Sequence, residues 1–295
     1  MLRFDRTVDR ALVHRASVAE VFLTDLVTTG DDAFELAAQL PRRHAFYRPI
    51  GGRYDTLLLA EVLRQSVIAV AHSFYDVPPA SKFTMQALGL RVPRWPHGLN
   101  VGESPAELHV RFDARQVEYR GPEVAGLTAQ LTFVRDGQVI ATGSGDTKIF
   151  DATGYERLRW RGAGPRTVGT PPRVTPVAPG SVGVLDPADV VLGDAPGADS
   201  WRLRVDPSHP VLFDHGCDHV PGMLLLEGIR QAVRLASDDP SASLESFDAR
   251  FQRFAELDEP VTVAVTPNGN PTGATVTCRQ RDHHVADADV RVSAR

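Results

Sequence analysis

The sequence predicts an α+β protein in which one long buried helix is wrapped by antiparallel strands, and it predicts that arrangement twice. Three observations lead there. Two apolar segments of helical length, residues 57–72 (LLLAEVLRQSVIAVAH) and 223–237 (MLLLEGIRQAVRLAS), superimpose with Glu61 on Glu227, Arg64 on Arg230, Gln65 on Gln231 and Val67 on Val233. Upstream, residues 19–25 (AEVFLTD) parallel residues 188–194 (ADVVLGD), as expected of a tandem duplication. Around both helices lie short apolar-alternating segments separated by Gly, Asn and Asp, which read as antiparallel strands joined by turns.

Each element has a local reason. Residues 18–26 and 33–40 have strand length and apolar content, with Thr29-Gly30-Asp31-Asp32 as the turn between them. Residues 41–54 form a charged loop carrying Arg42, Arg43, His44, Arg48 and Arg53 around Gly51-Gly52. The helix bearing Glu61 follows and ends before Pro78-Pro79, which cannot continue it. Residues 83–92, 107–118 and 127–150 are strands, with Arg135-Asp136-Gly137-Gln138 as a hairpin turn. Residues 154–180, rich in Pro and Gly and without apolar period, read as a linker between an N-terminal domain, 1–153, and a C-terminal domain, 181–295.

The second half repeats the order. Strands around 188–192 and 201–205 lead into a histidine-dotted loop, 207–222, and then into the helix bearing Glu227. Pro221-Gly222 suits the last turn before a helix. Residues 247–254, 261–266, 274–279 and 284–293 read as four further strands, with Asn268-Gly269 and residues 281–283 as turns.

Composition narrows the function classes. A net charge of −5 and a pI near 6.1 argue against non-specific binding to nucleic acid or to anionic membranes. The opening residues lack an apolar signal core, and the most apolar stretch, 57–71, is interrupted by Glu61, Arg64 and Gln65 and is too short to span a bilayer, so a cytoplasmic protein is expected. Cys217 and Cys278 make neither a disulfide framework nor a CxxC pair. The segments hold no GxSxG, no GxxxxGK[ST], no HExxH and no dinucleotide-binding glycine pattern, which favours direct transfer over a covalent serine enzyme and gives no cofactor. His209, His215, His219 and Cys217 lack a standard metal-ligand spacing, and no metal is expected.

A histidine loop followed by Pro-Gly-aliphatic-aliphatic-Leu-Glu-x-x-x-Gln at the start of a helix resembles the hotdog fold, and within it the hydroxyacyl-carrier-protein dehydratase branch. Two such units, with HRASVAEVFLTD near the start, LLLAEVLRQ in the first and DHVPGMLLLEGIRQ in the second, resemble more specifically the A-factor (γ-butyrolactone) synthase family of actinobacteria. The resemblance runs from Val13 to Val292. It implies two tandem hotdog domains packed as a pseudo-dimer, in a functional monomer or weak homo-oligomer. It also implies an acyltransferase that moves a β-ketoacyl chain from acyl carrier protein to the hydroxyl of dihydroxyacetone phosphate, on the way to a butenolide or furan-type signal. Glu61, and Glu227 with Arg230, fall on the family's functional positions, and Arg64 takes the matching place in the first unit.

The residues support a physical account beside that resemblance. Acyl transfer to an alcohol needs a base for the hydroxyl proton and a positive or N–H environment for the oxyanion. A carboxylate on an apolar helix, its pKa raised by burial, is such a base. Residues at i and i+3 share a face, so Glu227 and Arg230 present base and cation together, and Arg230 also suits the acceptor's phosphate. The same pattern describes an ion pair that satisfies two charges inside a packed interface. Gln231, with Gln65, is either a substrate contact or a bridge to backbone groups. His215 or His219 stands near the dehydratase histidine without matching its spacing to Glu227, and His44 is the comparable residue of the first unit. Arg43 and its arginine neighbours either meet an acidic carrier or phosphate or form a solvated loop. Cys217 has no evident neighbouring base. A dehydratase or thioesterase using Glu, His and water, and a non-catalytic acyl or lactone binder, are the alternative classes.

Overall fold

The computed structural model describes residues 2–93 and 97–293, and the chain divides into two compact units, Met1–Arg166 and Thr167–Arg295. The first holds β1 (Leu23–Gly30), β2 (Ala33–Leu40), helix α1 (Thr56–Phe74), β3 (Lys82–Arg91), β4 (Ala106–Arg120), β5 (Glu123–Arg135), β6 (Gln138–Phe150) and helix α2 (Ala152–Trp160). Its strands pair antiparallel in the order β1-β2-β4-β5-β6-β3. The second holds β7 (Leu192–Gly197), β8 (Ser200–Leu203), helix α3 (Gly222–Ser237), β9 (Leu244–Phe251), β10 (Val261–Pro267), β11 (Gly273–Gln280) and β12 (His283–Val292). These pair antiparallel as β7-β8-β10-β11-β12-β9, the same topology strand for strand. This is the α+β arrangement the repeated pattern predicts.

Each helix lies on its own sheet, and in each a glycine makes the room. On β6 a Cβ at Gly143 would collide with the Leu63 side chain of α1, and one at Gly145 would stand 3.2 Å from it. In the second unit the gap is in the helix instead: a Cβ at Gly228 would come within 2.8 Å of Leu203 Cδ1 on β8. Leu57, Leu58, Leu59, Val62 and Leu63 of α1 are fully buried, as are Leu226 and Ile229 of α3. Burying side chains of this size stabilises by about 1.5–3 kcal/mol each. The Asp136-Gly137 hairpin takes positive φ at both central residues (50° and 75°), the geometry that matches strand twist.

Three expectations need correction. Residues 18–20 and 187–189 are single 3-10 turns and not strand, because Ser17 and Asp186 accept hydrogen bonds from the amides of Ala19 and Ala188 and hold the chain in turns; β1 and β7 start later. The span expected as linker holds structure at both ends. Asp151 accepts from the Gly154 amide at 2.6 Å to cap α2, and Thr175–Val177 hydrogen-bond to β7 across Gly193, where any Cβ would collide with the Thr175 carbonyl. Third, α1 as a whole has 19 residues and is long and apolar enough to cross a membrane by length and composition, where the apolar stretch looked too short. Fifteen of those 19 residues are buried inside the fold.

Candidate active site

The duplicated glutamine builds the same bracket in both units. Gln65 Oε1 accepts from the Phe22 amide (2.9 Å), and its amide group donates to the Glu20 carbonyl (2.7 Å) and to Glu61 (2.8 Å). Gln231 does the same with the Val191 amide (2.9 Å), the Asp189 carbonyl (2.9 Å) and Glu227 (2.7 Å). Each glutamine ties the turn before the first strand to the helix and orients the glutamate one turn back. That employment makes Gln231 a bridge to backbone groups, the second of its two sequence readings.

A second shared device corrects the histidine correspondence. The buried His44 Nδ1 accepts from the amides of Phe46 and Tyr47, and its Nε2 faces Glu20 at 3.3 Å. In the second unit the residue doing this is His209, with the amides of Val211 and Leu212 and with Asp189 at 3.4 Å. His44 therefore pairs with His209, and His215 and His219 have no counterpart in that role.

The two glutamates then part company. Glu61 is fully buried and meets two arginines: Arg15 Nη2 at 2.6 Å and Nε at 3.1 Å, and Arg64 through Nε and Nη2 at 2.9 Å each. Burial pushes this carboxyl up, but the charges of Arg15 and Arg64 and the bonds from Arg64 and Gln65 outweigh it, bringing the group down to about 2. The expectation of a base with a raised pKa fails at Glu61 for that reason. Arg64 is likewise occupied, by Glu61 and by the Val13 carbonyl, with 18% of its side chain exposed. Sequence reasoning missed Arg15, which lies 46 residues from Glu61 in a segment with no helical pattern to announce the contact.

Glu227 is also fully buried, but among the described residues it meets one arginine. Arg230 Nη2 lies 2.8 Å from Oε1 and 2.6 Å from Oε2, and the Arg230 side chain is 3% exposed. The superposition that sets Glu20 on Asp189 sets Arg15 on Val184, which brings no charge. The helix starts differ as well. Asp55 caps α1 by accepting from the Leu57 amide at 2.9 Å, whereas its counterpart Pro221 gives α3 no side-chain cap. The backbone conformations of the two cap residues are alike (φ −67°, ψ 132° and φ −59°, ψ 141°), so the difference is one of side chain alone.

The loop before α3 carries the other predicted groups. His215 is exposed and faces Asp214 at 3.3 Å. His219 Nδ1 meets Asp218 Oδ1 at 2.6 Å and Cys217 Sγ at 3.7 Å, and its ring stands edge-on to Phe254. A base therefore does stand beside Cys217, contrary to the sequence reading, which overlooked Asp218 as well. Arg43 is exposed on its loop, as are Arg42, which donates to the Gly102 carbonyl, and Arg53. A surface cleft of about 300 Å³ lined by Arg3, Arg6, Asp9 and Asp25 contains none of the predicted site residues. One buried cation also escaped the sequence reading. Arg234, where α1 has Ile68, donates to the carbonyls of Ala242 and Val182 at 2.9 Å and ties down the end of α3. A charged residue at an apolar position of the repeat was the signal available.

Comparison with known proteins agrees with this architecture. A family model described as AfsA, the A-factor biosynthesis hotdog domain, matches residues 1–151 and again 166–294. A Streptomyces virginiae protein named 2-oxo-3-(phosphooxy)propyl 3-oxoalkanoate synthase is 41% identical over 266 residues, covering 88% of this chain and 87% of the relative. A Streptomyces coelicolor protein of the same name is 37% identical, covering 94% and 87%. Among solved structures, a 12:0-ACP thioesterase from Umbellularia californica matches with a TM-score of 0.54 at 10% identity, over 91% of this chain and 100% of that one. An acyl-ACP thioesterase from Bacteroides thetaiotaomicron matches with a TM-score of 0.51 at 11% identity, over 88% and 98%. At such identities the thioesterases share the fold alone. With both of its halves matched by one family model and its length shared with these synthases, the chain belongs to the A-factor biosynthesis hotdog family.

Proposed function

We propose that this protein is an acyltransferase that joins a β-ketoacyl group to the hydroxyl of dihydroxyacetone phosphate, forming a 2-oxo-3-(phosphooxy)propyl 3-oxoalkanoate for the synthesis of a γ-butyrolactone, butenolide or furan-type signal. The acyl donor is acyl carrier protein, and the enzyme works in the cytoplasm as a monomer or weak homo-oligomer. The kinship with synthases supports the reaction. One structural observation supports its place: among the described residues the carboxylate of Glu227 is held by a single arginine at an uncapped helix start, while its twin Glu61 is clamped by two.

Glu227 takes the proton of the acceptor hydroxyl as the oxygen adds to the acyl carbonyl. The Arg230 guanidinium stabilises the developing oxyanion and the acceptor phosphate. The first amides of α3 add donors at the end of the helix where the dipole favours anions. Glu61, Arg15 and Arg64 form the corresponding structural clamp of the first unit. His215 and His219, on the loop before α3, line the approach for acceptor and carrier.

The deciding experiment incubates the protein with a β-ketoacyl carrier protein, with and without dihydroxyacetone phosphate. Phosphorylated ester that appears only with the acceptor supports the transferase. Thiol release without an acceptor assigns a thioesterase, loss of water from a hydroxyacyl donor assigns a dehydratase, and tight binding without turnover assigns a binder.

A further inference from the structure

Cys217 lies in the loop four residues before Pro221, partly exposed, with its Sγ 3.7 Å from His219 Nδ1. The same Nδ1 lies 2.6 Å from Asp218 Oδ1, so one ring N–H is shared between the carboxylate and the sulfur, and the ring of Phe254 stands edge-on to the imidazole. An imidazolium N–H shared between a carboxylate and a sulfur favours the thiolate, the nucleophilic form of a cysteine. The other cysteine is a built-in contrast. Cys278 on β11 is fully buried, and burial pushes its thiol up to about 12.

Building on the acyltransferase reading, we propose that Cys217 is an acyl-accepting nucleophile that carries the acyl group as a thioester between donor and acceptor, with His219 as its proton partner. The charges there agree with the geometry. Burial raises the Cys217 thiol, but the hydrogen bond and charge of His219 bring it below its ordinary value. Burial lowers His219, while Asp218 and Cys217 raise it to about 9, which keeps a positive charge beside the sulfur at neutral pH.

The chemistry balances in two halves. The thiolate adds to the donor carbonyl, the Sγ–C bond forms, the C–S bond to the carrier breaks, and the leaving thiolate takes the His219 proton. The acceptor hydroxyl oxygen then adds to the Cys217 thioester, its proton passes to Glu227, and the C–Sγ bond breaks to restore the thiolate. The proton on Glu227 returns to His219 through solvent. No oxidant or further reactant is needed.

The test is acid-quenched mass spectrometry of the full chain after exposure to a short β-ketoacyl thioester without acceptor. The expected result is one acyl adduct, mapped to Cys217 and absent from Cys278, that dihydroxyacetone phosphate discharges as ester. Cys217→Ala should lose the adduct and slow ester formation by roughly 100-fold. Iodoacetamide should label Cys217 in the wild type, and His219→Gln should slow that labelling about tenfold; this readout on folded protein does not depend on turnover. Wild-type ester rates in Cys217→Ala would overturn the nucleophile and leave the transferase intact. A Cys217 adduct with no ester from any phosphorylated acceptor would keep the nucleophile and sink the transferase. A bound metal ion that shields Cys217 from iodoacetamide until chelation would overturn the proposal in favour of a ligand role, since Cys217, Asp218 and His219 offer three donor atoms within 4.8 Å of one another.

Discussion

Set side by side, α1 and α3 carry a glutamate, an arginine and a glutamine at the same places on the same turns, and the glutamines make the same three hydrogen bonds. What differs is what touches the carboxylate and the helix start. The first unit adds Arg15 to the glutamate and Asp55 to the first amides; the second has Val184 and Pro221 at those places. The glutamine brackets are common to both copies, whereas the second arginine on the glutamate and the carboxylate on the first helical amides are confined to the first. Two cations on a buried carboxylate overstabilise its ionised form and make it a poor base, as at Glu61. The comparison therefore teaches which copy to search for chemistry.

The largest test of that asymmetry is an exchange of outcomes between matched variants. Glu227→Gln should lower ester formation by roughly 10²–10⁴-fold, with substrate binding largely kept. Glu61→Gln should leave the rate per folded molecule within about threefold, because it removes no group from the reacting atoms. Steady-state assays on purified variants, each with its melting temperature, decide it; equal losses in the two would erase the distinction between the copies.

Much of this comparison was legible before any coordinates. The paired helices and the Glu-x-x-Arg-Gln pattern are properties of local spacing, and buried helices announce themselves by apolar runs. The partners of those residues were not legible, for a physical reason. Nothing in a sequence says which of many arginines reaches a buried carboxylate from another segment, so Arg15 went unmarked while Arg64, fixed by i, i+3 geometry, did not. The turns at Val18–Glu20 and Pro187–Asp189 hid under apolar residues, because their geometry is set by Ser17 and Asp186 and not by hydropathy. Histidine crowding between residues 209 and 219 concealed that His209 alone repeats His44. Cys217 looked inert because its base sits two residues away in a loop, where no helical or strand period tells which side chains converge.

Stability under acid separates the copies next. The folded pKa of Glu61 lies at about 2, below its ordinary 4.5, so its clamp stabilises fully above pH 4.5 and that contribution is lost as pH falls through about 2. The linkage is on the order of 3 kcal/mol. Arg15→Met removes one cation from a buried carboxylate and should cost about 3 kcal/mol at neutral pH, while moving Glu61 upward and raising the pH midpoint of acid unfolding. Circular dichroism across an acid titration measures both effects. An unchanged midpoint in Arg15→Met would show that Arg64 alone clamps Glu61, and the contrast with Glu227 would fall with it.

The glutamine brackets make the opposite kind of prediction, one of equality. Gln65→Leu and Gln231→Leu each strand a buried amide and a buried carbonyl beside the first strand of their unit, at about 2 kcal/mol. Urea unfolding should give similar losses in the two variants. Activity should fall further in Gln231→Leu, because Glu227 loses the bond from Gln231 that orients it. Unequal stabilities with equal activities would reverse the assignment of scaffold and site.

The smallest expected effect on stability is the sharpest on mechanism. Asp55 and Pro221 occupy the same position before their helices in nearly the same backbone conformation, so an aspartate fits at 221 without strain. Pro221→Asp should cap α3 as Asp55 caps α1 and stabilise it by about 1 kcal/mol, with the reverse loss in Asp55→Ala. A capping carboxylate would also place a negative charge on amides proposed to receive the oxyanion or phosphate, where like charge repels. Pro221→Asp should therefore melt higher and work more slowly, with the deficit in KM if those amides hold the phosphate and in kcat if they hold the oxyanion. Asp55→Ala should melt lower and work at the wild-type rate. A more stable Pro221→Asp with undiminished activity would remove the start of α3 from the site and leave Glu227 and Arg230 to carry the chemistry alone.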